Sequence, residues 1–244
     1  MELLLRSSQY ERLFDGAVLT VQLLGNAFLL GLVLSLVFGI ARLSSHAWIR
    51  GAALVFVEFA RGISSIILLF IMAYAIPILL GLPQRDLMLL ASIALGVNMG
   101  GYGAEIIRGA ILSVPKGQTE ASIALNLSEA QRLRHVVLPQ ALRVILPPMG
   151  NLTIEILKGT SLVYLIGLAD LLGVTQRMRT SRVVSEAPAG STTLFLNALL
   201  IYFVLAQLIN LAFRFAERRV ERRFVGTGGE PTTLTEADAL KVAK

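Results

Sequence analysis

The chain has 244 residues, of which 55% are hydrophobic and 16% charged, with a mean hydropathy of +0.71. Soluble domains carry roughly 25% charged residues, so this composition excludes an ordinary soluble domain, and the apolar content excludes a disordered one. With no cysteine, a disulfide-stapled secreted domain and a cysteine-built metal site are excluded too. The net charge is +6 and the sequence pI about 10.1. In a soluble protein that balance points to nucleic acid; in a membrane protein it reflects arginine-rich cytoplasmic edges.

A membrane pass needs about 20 mostly apolar residues. Charge-free runs cover 16–41, 62–84, 87–104, 144–154, 159–169 and 187–213. They predict an all-α polytopic membrane protein of about five transmembrane helices, near 16–41, 54–80, 87–112, 144–169 and 192–216. The fourth is expected to break near Lys158 and Gly159. The first run is too long, and its leading stretch too charged, for a cleavable signal.

Lys and Arg set orientation. Fourteen of the 22 fall in the joint after the first helix, the joint after the third and the C-terminal tail, against six in the N-terminal segment and the other loops. The N-terminus is therefore expected outside and the C-terminus in the cytoplasm. Arg177, Arg179 and Arg182 run against this; were their loop cytoplasmic, the fourth helix would be a re-entrant hairpin. Three regions result: an extracytoplasmic segment 1–15, a transmembrane region 16–220 and a polar, disordered cytoplasmic tail 221–244. No glycine loop with Lys and Ser/Thr of the ATPase type is present.

The stretch 113–143 is too polar to span and too patterned for a linker. Pro115-Lys116-Gly117 predicts a turn, then a short helix from Thr119 to Leu125 with Ala121, Ala124 and Leu125 on one face. Asn126 suits a left-handed helix stop. Ser128 with Gln131 forms a capping box opening a second helix, which Leu138-Pro139 should end. Pattern alone leaves two readings, a hairpin lying on lipid and a docking element.

Glu120-Ala121-Ser122, Asn126, then Val136, Leu138 and Pro139 resemble the "EAA" loop of ABC importer permeases. Arg61-Gly62-Ile63-Ser64 resembles their "RGTP" motif. Residues 98–109 are similar to "AYxAEIxRG", 113–118 match "SVPKGQ", and 157–162 look like "LKDTSL". The blocks run in order over nearly the whole chain. The sequence is thus identified as similar to ABC importer permeases of the polar amino acid (His/Glu/Gln/Arg/opine) family, with the type I permease fold. It departs from the family at Ser122, Asn126, Ile63-Ser64 and Gly159.

The resemblance implies that Lys116, Gly117, Glu120, Ala121, Ser122, Ala124, Asn126, Leu138 and Pro139 belong to the ATPase-coupling loop. Glu58, Arg61, Asn98, Tyr102, Lys158, Thr160 and Ser161 are candidate pathway or gate residues. A bland reading stands beside each. Glu58 and Arg61 can pair and snorkel at the interface. Lys158 can pair with Glu155, and Glu105 with Arg108. Asn98 and Tyr102 share a face among glycines that allow close helix approach. Thr160 and Ser161 can bond carbonyls freed by a helix break. His46 and His135 are not spaced for a metal, and no catalytic constellation is visible. No metal and no cofactor is expected on this chain, since ATP is used by the partner.

The implied role is the permease subunit of a bacterial inner-membrane uptake system for a polar amino acid. The implied partners are a second permease, two cytoplasmic ATPases, an extracytoplasmic solute-binding protein and membrane lipid, with no nucleic acid. A compatible solute such as ectoine is the alternative substrate. An ATP-independent secondary transporter is the remote alternative, since it needs intramembrane coupling acids and only Glu155 qualifies.

Overall fold

The computed structural model describes residues 5–81, 86–180 and 190–225. Among them the secondary structure is helical, without a strand: α1 (Ser7–Ala41), α2 (Ala47–Gly62), α3 (Ser65–Leu79), α4 (Leu87–Leu112), α5 (Lys116–Ala124), α6 (Glu129–Ile166), α7 (Leu171–Thr180) and α8 (Ser191–Val225).

The first helix starts nine residues before its apolar run. Arg6 caps it, its backbone N–H donating to Gln9 Oε1 at 3.0 Å. At 1.5 Å per residue α1 is about 52 Å long, well beyond a hydrocarbon core of about 30 Å.

Packing order reveals the topology. Leu30 lies against Gly96, Leu34 against Gly100, Ser35 against Gly103, and Ile107 against Gly39. The numbers rise together, so α1 and α4 run parallel. A Cβ on Gly31 would stand 2.7 Å from the Met99 side chain. In lipid, helices associate through this close approach rather than by escaping water. Because the pair is parallel, residues 42–86 must carry the chain back across the membrane. Their 100° bend between α2 and α3 therefore sits within one net crossing. A straight helix over 54–80 was expected. Instead Ile63 and Ser64 are extended, with ψ of 138° and 132°.

Met149 packs at Gly103 and Leu95 at Gly159, so α6 is antiparallel to α4. Phe213 packs on Gly150, while Leu199 and Phe203 face Leu157 and Ser161, so α8 is antiparallel to α6. By length and composition α1, α4 and α8 can each cross a membrane, and the bent segments 47–79 and 129–180 bring the number of passes to five if each crosses once. The short α7 sits on the start of α1, where Leu171 meets Gly16. Arg177 and Arg179 thus lie at the end opposite the 113–143 joint, and α6 is not a re-entrant hairpin. Arg182 lies outside the described residues, as does the tail beyond Val225; the helix itself continues past 221.

Pro139 does not end a helix. The chain is continuously helical from Glu129 to Ile166. A π turn over Leu133–Val137, closed by Leu138 N donating to Leu133 O, precedes the proline. The same device, Ile71–Ala75, precedes Pro77. Proline lacks the N–H and crowds the carbonyl one turn back, and a wider turn absorbs both misfits. The expected break at Gly159 is also absent. Gly159 is a packing contact, and α6 tightens into a 3₁₀ turn at Ser161–Ile166 before stopping at Gly167, φ +97°.

The main core joins Leu24, Leu68, Leu95, Met99, Met149 and Leu157 from four helices, α1, α3, α4 and α6. A smaller cluster of Leu13, Ala17, Leu171 and Leu194 fixes α7 at the far end.

Candidate functional site

The joint after α4 is built for exposure. Pro115 caps α5, so Lys116 and Gly117 form its first turn rather than a separate loop. Only Ser122 of this helix is buried, its hydroxyl donating to Thr119 O at 2.6 Å. Glu120, Ala121 and Ala124 are exposed. Asn126 is left-handed, φ 55°. Its N–H donates to Ile123 O at 2.8 Å, and Leu127 N–H to Ser122 O at 3.1 Å. That pair of bonds is a Schellman stop, which accounts for Asn where the family motif has Gly. Ser128 and Gln131 form the expected capping box, at 2.9 and 3.4 Å. Ile123 and Leu125 are 54% and 75% exposed. Both are large apolar side chains on an exposed turn, and Ile123 is one that the sequence reading did not single out.

A hollow of about 800 Å³ lies between this joint and the ends of α1 and α4, lined by Ile40, Leu112, Thr119, Arg132 and Leu133 among others. Gln140 donates to Gln118 at 3.3 Å, tying α5 to α6. Leu138 and Pro139 sit inside α6, just beyond its π turn.

Four candidate pathway residues meet at the bend of the second pass. Asn98 Nδ2 donates to Ala60 O at 3.1 Å, and the Tyr102 hydroxyl to Arg61 O at 3.3 Å. Those carbonyls lost their helical partners where α2 ends, and in lipid they need others. The Arg61 guanidinium stands 5.6 Å from the Tyr102 ring centroid and 3.7 Å from Glu58. Its Nε is buried without a partner. Toward the joint, Glu105 pairs with Arg108 at 2.8 Å as its spacing suggests, and also with Arg42 at the end of α1.

Lys158, Thr160 and Ser161 lie apart from that group, on α6. Glu155 and Lys158 are both exposed, and no ion pair joins them. With Asn151 they form a polar stripe at spacings of four and three, one face of a helix. Lys158 and Ser161 line a cleft of about 360 Å³ with Tyr202 and Phe203 of α8. Thr160 and Ser161 donate to Leu157 O and Lys158 O at 2.6 and 2.7 Å, easing the passage from α to 3₁₀ geometry.

Behind the cleft is a buried polar node. Asp170 is fully buried and caps α7, accepting from Gly173 N at 2.9 Å and Leu172 N at 3.2 Å. The Tyr202 hydroxyl donates to it at 3.2 Å, and Leu171 N donates to Thr20 at 3.1 Å. The only sequence signal for this node was an Asp following an apolar run.

Several membrane passes, a buried polar bend and an exposed short helix beside the long α6 are the features of a membrane-embedded protein. Residues 28–222 match the family described as binding-protein-dependent transport system inner membrane component. The chain belongs to that family. It is similar to a probable amino-acid ABC transporter permease of Sinorhizobium fredii, y4tF, 38% identical over 85% of this chain and 86% of that one. The glutamine permease GlnP of Escherichia coli is 38% identical over 86% and 92%. The L-cystine permease TcyB of Bacillus subtilis is 33% identical over 90% and 91%. A solved amino acid ABC transporter superposes with TM-score 0.75 at 28% identity, over 86% of this chain and 94% of that one. The MetNI methionine transporter shares the fold, with TM-score 0.71 at 21% identity over 88% and 99%. The resemblance read from the motifs holds: this is an inner-membrane ABC importer permease of the type I fold.

Proposed function

We propose that this chain is the membrane subunit through which an ATP-driven system takes up a polar amino acid, its N-terminus outside and its C-terminus in the cytoplasm. The observation that carries the reading is the continuity of α6. One helical run joins the turn beside the exposed α5 to Lys158, on the exposed polar stripe of α6. A cytoplasmic ATPase holding α5 through Glu120, Ala121, Ile123 and Ala124 therefore acts directly on the helix that bears the polar stripe. Two states of the bundle follow if the ATPase grips one better than the other.

Charge placement supports the orientation. Among the described residues, twelve Lys and Arg lie at or beyond the joint end, from Arg42 to Arg223; four lie at the other end, Arg6, Arg12, Arg177 and Arg179. The positive-inside rule assigns the first set to the cytoplasm. Relatives named for glutamine and L-cystine support an amino-acid substrate. A second permease copy covering the Asn151–Glu155–Lys158 stripe gives the pathway its other wall, and an extracytoplasmic solute-binding protein delivers to the end bearing α7.

Uptake by proteoliposomes holding the permease, with and without its ATPase, tests the reading. Transport should need the ATPase, and transport without it overturns the proposal. Competition among glutamine, cystine, arginine and ectoine identifies the substrate, and inhibition by ectoine alone sinks the amino-acid reading. An Ala124→Cys variant should cross-link to the ATPase; failure there and at Ala121 and Ile123 removes the docking claim.

A further inference from the structure

The last helix carries a surface that lies outside the proposed path from α5 to Lys158. Along α8 the exposed side chains recur every three or four residues on one face. From Leu196 through Leu200 and Leu208 to Phe215 that face is mostly apolar, interrupted by the exposed Gln207 and Arg214. Those 19 steps span about 29 Å, the thickness of a hydrocarbon core. The face then changes character without turning away. Arg218, Arg219 and Arg222 continue it and share one recess with Phe215. All three are exposed and make no ion pair among the described residues. The acids nearby are Glu217, half-buried, and Glu221.

We infer that Arg218, Arg219 and Arg222 form a headgroup site for anionic phospholipid, seated on Phe215 at the membrane surface. Two observations favour lipid over a protein partner. The arginines lie on the same face as the apolar stripe, which the bundle leaves open; only 17% of the α8 span is buried inside the chain, against 61% of α4. The start of the arginine recess also coincides with the end of one bilayer thickness. Arginines at that depth meet phosphates, and guanidinium groups bind phosphate through paired N–H donors. A basic cluster just beyond a transmembrane helix attracts anionic lipid.

The test places a reporter at the site in the full chain. Trp48 is the sole tryptophan and is 74% exposed, so Trp48→Phe with Phe215→Trp gives a single probe. The chain is reconstituted in nanodiscs with brominated phosphatidylglycerol or brominated phosphatidylcholine at equal mole fraction. Phosphatidylglycerol should quench at about fivefold lower mole fraction, the bias expected from one engaged arginine. R218Q/R219Q/R222Q should abolish the preference, and R218K/R219K/R222K should keep most of it. Equal quenching by both lipids overturns the inference. So does quenching by neither, which means protein covers the face. A preference that survives the glutamine variant, or is lost equally in the lysine variant, also overturns it.

Discussion

Asn98→Leu is the sharpest perturbation of the bend in the second pass. Asn98 is 7% exposed, and its amide meets the Ala60 carbonyl that α2 leaves unpaired. An orphaned buried polar group costs about 1–3 kcal/mol. Hydrogen bonds between membrane helices average only about 0.6 kcal/mol, because alternative partners are found. Burial decides between these figures. Ala60 is fully buried and Asn98 nearly so, which favours the larger figure, and about 2 kcal/mol is expected. For a chain of this size that lowers the melting temperature by about 4–8 °C. Tyr102 makes the companion bond at 3.3 Å but is 37% exposed, so its surroundings can rearrange more easily when the bond is lost. Tyr102→Phe should cost under about 0.6 kcal/mol. Thermal unfolding of the detergent-solubilised variants measures both, and Asn98→Ala separates the lost hydrogen bond from any crowding by leucine. Equal losses at the two positions, or no loss at Asn98, would refute the claim that a buried amide sustains the bend.

Three further outcomes are expected. Asn126→Gly should preserve the stop of α5, while Asn126→Val, forced to positive φ, should cost about 1–2 kcal/mol. Faster amide exchange at Leu127 reports the opened stop. Tyr202→Phe removes a bond to a buried carboxylate and should cost about 1.5–3 kcal/mol. Asp170→Ala removes the same bond and the α7 cap, so a double-mutant cycle should show strong non-additivity; additive losses would mean the residues act separately. Lys158→Met should leave stability within about 0.5 kcal/mol, as for other exposed unpaired groups, yet slow ATP-driven uptake. A clear drop in melting temperature with normal uptake would reverse that assignment.

Much of this was legible in the sequence because it rests on local chemistry. Charge-free runs located the passes, since any charge within lipid is expensive. Asn126, Ser128 and Gln131 announced their turns, because caps are formed by residues a few positions apart. What escaped depends on contacts distant in the chain. Gly159 looks like a break and is a packing contact with Leu95. Pro139 looks like a stop and is absorbed by a π turn. The bend at Ile63-Ser64 survives because Asn98 and Tyr102, some forty residues on, satisfy its carbonyls. The Asp170–Tyr202 bond joins residues 32 apart, and no spacing rule signals it.

The unbroken run from Glu129 to Ile166 also fixes a mechanical ratio. Glu129 and Lys158 are 29 steps apart, about 44 Å along the axis. A rotation of about 4° about the Glu129 end carries Lys158 sideways by about 3 Å, roughly one water diameter. The parallel pair α1 and α4, interlocked at Gly31, Gly100 and Gly103, offers a fixed rail against which such a swing is measured. A swing of that size would shift the Lys158 ammonium group relative to Tyr202 and Phe203 of α8, with which it lines the cleft.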